Sequence, residues 1–234
     1  MAIELTRVDE FALITLNRPQ ALNALSFSLL GDFSRALDQA AQSDARALLI
    51  IGAGEKAFCA GADIKELTGR SLTEQKRGAA LGQATFAKIE QLPMPSVAII
   101  NGYAIGGGLE LALACTVRLA TRNAKLGLPE IKLGLIPGYG GTQRLPRVIG
   151  EARAIEMIIS GRTVDAEEAH CIGLVHRLVE GDALAQGIAY ARQFSGYSLP
   201  VLSFAREAVG RALATSLTEG LRIEADLATL AYQT

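Results

Sequence analysis

The sequence of 234 residues contains no tryptophan, and it is poor in aromatic residues, at 5%, and in charged residues, at 20%. So few charges beside a hydrophobic fraction of 50% exclude an intrinsically disordered chain. A net charge of −1 provides no basic stripe, and the few aromatic rings offer little stacking surface, so a dedicated nucleic-acid-binding protein is not expected. With 24 glycines, the composition instead favours a compact α/β or mixed core with many tight turns.

Cysteine and histidine are also scarce. The three cysteines, Cys59, Cys115 and Cys171, are widely spaced and form neither a CxxC pair nor a Cys/His cluster. We therefore expect free thiols in a reducing compartment, no disulfide framework and no metal site. The two histidines, His170 and His176, lie where a helix end and a strand are expected, and they are predicted to be structural.

The amino terminus, MAIELTRVDEFALITL, is acidic and alternating, which predicts a strand rather than a signal or transit peptide. The apolar stretch 97–120 raises the question of a membrane span, but it contains Asn101, Glu110 and several glycines. An ionised glutamate in mid-bilayer costs roughly 2–4 kcal/mol. We therefore predict a protein without a membrane span, located in the cytoplasm, or in the mitochondrial matrix if it is a processed form.

The hydrophobic pattern changes along the chain from alternation of strands and helices to helices alone. Strands are predicted at 11–16, 47–51, 96–100 and 117–120. Helices are predicted at 28–42, 73–92, 108–115, 142–149, 151–160, 165–169, 183–194, 200–214 and 216–231. Residues 52–61 are predicted as a loop and 101–107 as a glycine-rich turn. The expected architecture is one α/β core with a helical C-terminal part.

Two glycine-bearing turns, 58–64 and 102–108, each follow a predicted buried strand, and the second opens into a helix. Such turns let a ligand approach the backbone, and free N–H groups at a helix start favour negative charge. Both could equally be plain tight turns. Neither has the G-x-G-x-x-G spacing of a dinucleotide fold or the G-K-[ST] ending of a P-loop.

Glu110 and Glu130 are each predicted in the first turn of a helix. An acidic residue there is favoured by about 0.3–1 kcal/mol without any catalytic role. However, both lie among leucines and isoleucines, where burial would raise the pKa of a carboxyl group and let it exchange protons near neutrality. A third glycine cluster, IPGYGGTQRL at 136–145, again suggests close backbone approach to a small ligand.

These segments resemble the enoyl-CoA hydratase/isomerase (crotonase) family. The matching motifs are KAFCAGADIK at 56–65, NGYAIGGGLE at 101–110, LPE at 128–130, PGYGGTQRL at 137–145, and NRP and ALNAL at 17–25. They occur in the family's order and spacing, and the resemblance covers nearly the whole chain. The resemblance implies an α/β fold of the crotonase type, a spiral of ββα units with a helical C-terminal region. It also implies a core over 1–195, a C-terminal region 196–234 for oligomerisation and pocket closure, and a homotrimer or homohexamer.

The resemblance also implies the catalytic residues. The backbone N–H groups of Ala62 and Gly107 would form an oxyanion hole for a thioester carbonyl, and the backbone of Gly138 would help to hold the water. Glu110 and Glu130 would be the two catalytic glutamates, one accepting and the other supplying a proton, and which of them has which role stays open. Isomerases of the family often keep one of the two carboxylates. Both are present here, which favours hydration of a trans-2-enoyl-CoA.

The implied substrate is an acyl-CoA thioester, with no cofactor beyond the coenzyme A that it carries. The residues implied in binding coenzyme A are Ala24, Leu25, Lys56, Ala60, Ala62, Asp63, Ile64 and Lys65. Each lysine could also be an ordinary solvated surface residue.

Two features depart from the family pattern. The family usually continues for about one more helix beyond Thr234, and Tyr139 is bulkier than the small residue often found there, so a narrower acyl pocket is expected. The alternatives within enzymes are a Δ3-Δ2-enoyl-CoA isomerase and a hydratase of a branched substrate such as 3-methylglutaconyl-CoA. The alternatives that are not enzymes are an RNA-binding relative, which the balanced net charge disfavours, and a catalytically silent scaffold protein, which the presence of both glutamates disfavours.

Overall fold

The computed structural model describes residues 2–234 as two β-sheets surrounded by helices. The strands are β1 (Ile3–Val8), β2 (Phe11–Leu16), β3 (Leu48–Gly52), β4 (Ala57–Cys59), β5 (Ser96–Ile100), β6 (Tyr103–Ile105), β7 (Val117–Thr121), β8 (Lys125–Gly127), β9 (Thr163–Asp165) and β10 (Arg177–Val179). The helices are α1 (Phe27–Ala41), α2 (Ile64–Leu67), α3 (Leu72–Glu90), α4 (Gly107–Ala114), α5 (Gly141–Ile149), α6 (Glu151–Ser160), α7 (Ala166–Cys171), α8 (Ala183–Ser195), α9 (Leu199–Arg211) and α10 (Leu217–Ala231). Short 3-10 turns span Pro19–Ala21 and Glu130–Leu133.

A strand–strand–helix unit recurs along the first part of the chain. The larger sheet has the order β1-β2-β3-β5-β7-β10, and the smaller has the order β4-β6-β8-β9. The strand pairs β3/β4, β5/β6 and β7/β8 each give one strand to each sheet. The second strands of these units run parallel in β4-β6-β8, so the loops that follow them leave from the same edge of the smaller sheet.

The long helices and strands form as predicted because their apolar residues lie on the faces that pack against the core. β3 and β5 are continuous apolar runs in the middle of the larger sheet, paired in parallel, as expected for strands covered on both faces. α1 starts at Ser26, whose side chain accepts a hydrogen bond from the N–H of Leu29. Its inner face buries Leu30, Phe33 and Leu37, so its bounds agree with the prediction of 28–42 to within one residue at each end.

The prediction of 52–61 as loop and of 101–107 as turn is wrong in part, because each contains a three-residue strand, β4 and β6. β8 and β9 were not predicted either. These four strands have three residues each, which is too short to show the alternation that identifies a strand in a sequence. They pair with one another in the smaller sheet. The amino-terminal segment is likewise an antiparallel pair, β1 and β2, rather than one strand.

The core lies on both faces of the larger sheet. One cluster packs between the two sheets and α1, α3 and α4, and the other packs beneath α8, where Leu49, Ile99 and Ala191 are buried. By contrast, α9 and α10 pack against each other as a hairpin, and neither contains a buried residue. Arg206 ties the hairpin to the core by donating to the carbonyls of Leu92 and Met94, both at 2.9 Å.

No helix within residues 2–234 is long and apolar enough to span a membrane. The stretch 97–120, whose length raised that question, divides into β5, β6, α4 and β7.

Candidate active site

The backbone N–H groups of Ala62 and Gly107 lie next to each other, at the edge of the smaller sheet where β4 and β6 end. A Cβ built on Gly107 would be 3.4 Å from the nitrogen of Ala62, and one built on Gly61 would be 3.3 Å from the nitrogen of Gly107. Within residues 2–234, neither N–H donates a hydrogen bond to another residue. Two neighbouring free donors, one at the first residue of α4, can bind an oxygen that gains negative charge.

Glycine is required around these donors because side chains would collide with the backbone or with Glu130. Gly61 and Gly106 have φ values of +98° and +54°, which L side chains rarely adopt. A Cβ on Gly108 would collide with the carbonyl oxygen of Cys59, and one on Gly106 would lie 2.8 Å from Oε1 of Glu130. The glycines therefore allow the start of α4 to pack directly against the loop that follows β4 and against the side chain of Glu130.

Glu110 is buried, at 1% exposure, although it lies in the first turn of α4. Its Oε1 accepts hydrogen bonds from the backbone N–H of Tyr139, at 2.8 Å, and of Gly141, at 2.7 Å. Burial raises the pKa of Glu110, and these two N–H groups and the Arg144 guanidinium oppose that rise. The carboxyl group thus lies in an apolar pocket in which the ionised form still has specific donors.

Glu130 is half-buried at the start of its 3-10 turn, directly after Pro129. Among residues 2–234, its Oε2 is buried without a hydrogen-bond partner. Burial, and secondly the charge of Glu110, raises the pKa of Glu130 to about 7. Two carboxyl groups therefore share one site, and one of them titrates near neutrality.

Gly138 and Tyr139 form the wall of the site next to Glu110. The carbonyl of Gly138 accepts a hydrogen bond from Nε2 of Gln83 at 2.9 Å, and its α-carbon faces open space. The ring of Tyr139 packs edge-on against Phe86, with ring centroids 5.7 Å apart. A Cβ on Gly107 would lie 3.2 Å from this ring, so Tyr139 borders the space in front of the free N–H groups.

The segments predicted to bind coenzyme A are joined by backbone hydrogen bonds. The N–H of Leu25 donates to Gly61, and the N–H of Asp63 donates to Leu25, both at 2.8 Å. The N–H of Ala60 donates to the carbonyl of Leu22 at 3.0 Å. The structure thus brings the turn with Ala24 and Leu25 beside the loop with Ala60, Ala62 and Asp63.

The remaining predicted residues of this group are exposed. Lys56 lines a cavity of about 360 Å³ together with Leu22 and Asn23. Ile64 is 57% exposed at the start of α2, and Lys65 follows it with an exposed side chain.

Arg18 and Asn23 were not singled out from the sequence, although both lie in the motifs of the first turn and join it to the loop beside the site. Arg18 donates to the carbonyl of Ala24 at 3.0 Å and pairs with the carboxylate of Asp63 at 3.4 Å. Asn23, buried and with φ of +58°, donates to the carbonyl of Ala57 at 2.8 Å. An asparagine in a turn is a usable signal, but its long-range partners cannot be read from local sequence.

The chain is similar over its length to known proteins. The family profile described as enoyl-CoA hydratase/isomerase matches residues 7–234. A protein of Bacillus subtilis with the name enoyl-CoA hydratase/isomerase is 46% identical over 218 residues, which are 92% of this chain and 84% of that protein. The crotonyl-CoA hydratase of Syntrophomonas wolfei is 37% identical over 237 residues, covering 99% of this chain and 90% of the relative. The crystal structure of an enoyl-CoA hydratase from Bacillus anthracis has a TM-score of 0.95 at 38% identity, covering 100% of this chain and 92% of that one.

Proposed function

Because the chain belongs to the enoyl-CoA hydratase/isomerase family, we propose that it is an enoyl-CoA hydratase, which adds water reversibly to a trans-2-enoyl-CoA and forms a 3-hydroxyacyl-CoA. The predicted family and the crotonase-type α/β fold are both confirmed. The observation that carries the reaction is that two carboxyl groups, Glu110 and Glu130, lie beside two free backbone N–H groups. The enzyme is accordingly a hydro-lyase.

The thioester carbonyl would lie between the N–H groups of Ala62 and Gly107. When oxygen adds to Cβ, the electrons of the Cα=Cβ bond move toward the carbonyl and give an enolate. Two preorganised donors stabilise that charge, and the loss of one such donor typically costs about 3–4 kcal/mol. The position of the Gly107 N–H at the first residue of α4 supports this role.

The two glutamates would share the proton transfers around one water molecule. Glu110 has two backbone donors on Oε1, which favour its ionised form, whereas Oε2 of Glu130 has no donor among residues 2–234, which favours its protonated form. Glu110 would take a proton from the water as its oxygen bonds to Cβ, and Glu130 would give a proton to Cα. Both act from one side of the substrate, so the addition is syn. The two groups titrate as a coupled pair, and the backbone of Gly138 would help to hold the water.

Coenzyme A would bind along the joined segments around Leu25 and Ala60. The backbone of Ala60, Ala62, Asp63 and Ile64 would cradle the adenine, and Ala24 and Leu25 would line the pantetheine. Lys56 and Lys65 would lie near its phosphates. No cofactor besides the coenzyme A of the substrate is needed for this chemistry.

A short linear acyl group is the proposed substrate class. The ring of Tyr139 takes up space beside Gly107, and one relative is named a crotonyl-CoA hydratase. An isomerase would need only one carboxyl group, and a branched substrate would need more space at this wall. Product analysis separates isomerisation from hydration, and a panel of linear and branched substrates separates the two hydratase alternatives.

A homotrimer or homohexamer is proposed from the C-terminal hairpin. Large apolar side chains on and between α9 and α10 are exposed, among them Val209, Leu213, Leu217, Leu221 and Leu230. Such a surface on a 24.7 kDa chain is typical of a contact between subunits. The division at 195/196 and the cytoplasmic location remain predictions.

The hydration of crotonyl-CoA tests the function directly. The conjugated thioester absorbance should fall when the enzyme is added, and chromatography should identify 3-hydroxybutyryl-CoA as the product. A shift of the double bond without uptake of water would identify an isomerase instead. An enzyme inactive on linear C4 to C8 substrates would contradict the proposal.

A further inference from the structure

The loop 138–141 holds the carboxylate of Glu110 but has little stiffness of its own. Tyr139 and Gly141 donate their N–H groups to Oε1 of Glu110, at 2.8 and 2.7 Å. The other two residues of the loop, Gly138 and Gly140, are also glycines, and glycine loses more conformational freedom on folding than any other residue. Contacts from outside the loop must therefore set its position.

Arg144, in the first half of α5, makes the most direct of these contacts. Its Nη1 donates to the carbonyl of Tyr139 at 3.0 Å, and its side chain is 17% exposed. Gly140 has a φ of +114°, and a Cβ there would collide with Nη1 of Arg144. The guanidinium thus lies directly over the loop backbone that donates to Glu110.

Glu90, the last residue of α3, holds this guanidinium from the opposite side. Nε and Nη2 of Arg144 donate to the two carboxylate oxygens of Glu90, at 2.7 and 2.8 Å. A two-point pair of this kind fixes the plane of the guanidinium as well as its distance. Two of its nitrogens are directed to α3 and the third to the loop, so α3, α5 and the loop are locked to one another.

The charged and titratable groups around Glu110 include one cation. Arg144 favours the ionised form of Glu110, and Glu90 lies behind that cation. Its other titratable neighbours are Glu130, from the 3-10 turn, and Tyr139, from the loop. Burial raises the pKa of Tyr139 to about 12, so its hydroxyl is neutral.

We propose that Arg144, held by Glu90, is a positioning residue for the hydration reaction. It fixes the loop that donates to Glu110, and its charge keeps that carboxylate ready to accept a proton. This inference rests on the proposed function, in which Glu110 is the base. In this role both residues act through the loop and Glu110 rather than on the substrate itself.

Arg144→Met, Arg144→Lys and Glu90→Gln test the proposal, with Arg147→Met as the matched control. Arg147 lies one turn further along α5 and is exposed, and within residues 2–234 its side chain donates only to the carbonyl of Gln143 in its own helix. The measurements are kcat on crotonyl-CoA, the pH dependence of kcat/KM, and the 13C carboxyl titration of Glu110 in the substrate-free protein. The Glu110 signal is assigned by its loss in Glu110→Gln.

Arg144→Met should lower kcat about tenfold to a hundredfold, the scale on which small displacements of catalytic groups act. In this variant the acidic limb of the kcat/KM profile and the titration midpoint of Glu110 should both move to higher pH, because the cation that favours ionised Glu110 is lost. Arg144→Lys keeps the charge and loses the two-point pair, so kcat should fall while the titration stays near that of the wild type. Glu90→Gln should move the titration to lower pH, because the charge of Arg144 is no longer balanced. Arg147→Met should behave as wild type.

A folded Arg144→Met protein with wild-type kcat and an unmoved Glu110 titration would overturn the proposal. If Arg144→Met does not fold, the other two variants decide. Wild-type kcat in Arg144→Lys together with an unmoved titration in Glu90→Gln also overturns it. The titration needs no turnover, so a wild-type protein that fails to hydrate crotonyl-CoA contradicts the proposed function and leaves this measurement intact.

Discussion

The ring of Tyr139 occupies the space that a side chain at Gly82 would need. Gly82 lies on the face of α3 toward the site, and a Cβ there would collide with the ring carbons of Tyr139. One turn earlier, Gly78 makes room in the same way for the ring of Phe27. Because Gly78 and Gly82 have no side chain, these two aromatic rings can approach the backbone of α3. One of them, the ring of Tyr139, borders the free N–H of Gly107.

This relationship predicts that Tyr139→Ala widens the acyl pocket. We expect kcat/KM for octenoyl-CoA to rise relative to that for crotonyl-CoA, since the ring no longer limits the chain. Tyr139→Phe keeps the ring and should keep the wild-type preference. Gly82→Ala should lower both stability and turnover by displacing the ring, and the double variant with Tyr139→Ala should recover stability. An unchanged chain-length preference in Tyr139→Ala would place the limit elsewhere.

Glu110→Gln and Glu130→Gln should each lower kcat by at least about a hundredfold, the usual scale for a general acid or base. Glutamine keeps the shape of glutamate, so both proteins should fold, as circular dichroism can check. Glu224→Gln, on the exposed surface of α10, is the control and should be fully active. Wild-type turnover in either site variant would remove that residue from the mechanism.

The pH dependence of kcat/KM for hydration should be bell-shaped. The pKa of Glu130 is about 7, and the proposed mechanism requires its protonated form, so activity should fall as the pH rises above neutrality. At low pH, activity should fall as Glu110 becomes protonated. Because the charge of Glu110 raises the pKa of Glu130, Glu110→Gln should lower that pKa, which a 13C carboxyl titration measures. An alkaline limb absent up to pH 9 would contradict the assignment of Glu130 as the acid.

Gly107→Pro should abolish most turnover and weaken binding of coenzyme A much less. Gly107 is the first residue of α4, a position where proline is accommodated, so the substitution removes the N–H while the helix can still form. Gly107→Ala is the matched control, since it adds a Cβ 3.2 Å from the Tyr139 ring yet keeps the donor. Calorimetry with coenzyme A beside turnover on crotonyl-CoA separates the two effects. Near-normal turnover in a folded Gly107→Pro protein would show that the donor lies elsewhere.

Light scattering at micromolar concentration should give the mass of a trimer or hexamer of the 24.7 kDa chain. Leu221→Asp, on the exposed apolar surface of α10, should shift the mass toward the monomer because it would place a charge in the contact. Its control is Glu224→Gln on the same helix. A monomer mass for the wild-type protein would contradict the proposed assembly.

The sequence alone predicted the elements whose pattern is long enough to recognise. β3 and β5 were predicted from continuous apolar runs, and α1 from helical periodicity, within one or two residues. Four motifs in the right order identified the family, because the glycines that create close approaches must occupy particular positions. Glu110 and Glu130 were singled out because a charged carboxylate is unfavourable among apolar residues, which raise its pKa and let it exchange protons near neutrality.

Only the tertiary structure decided how these parts act on one another. β4 and β6 are strands because they pair with each other, and the charge balance at Glu110 depends on donors 29 and 31 residues later in the chain. Arg144 and Glu90 are 54 residues apart, and Arg18 and Asp63 are 45. Local sequence reports periodicity and turn chemistry, whereas hydrogen bonds between distant segments depend on how the sheets and helices pack. Candidate site residues could therefore be named from the sequence, but the partners that set their proton affinities could not.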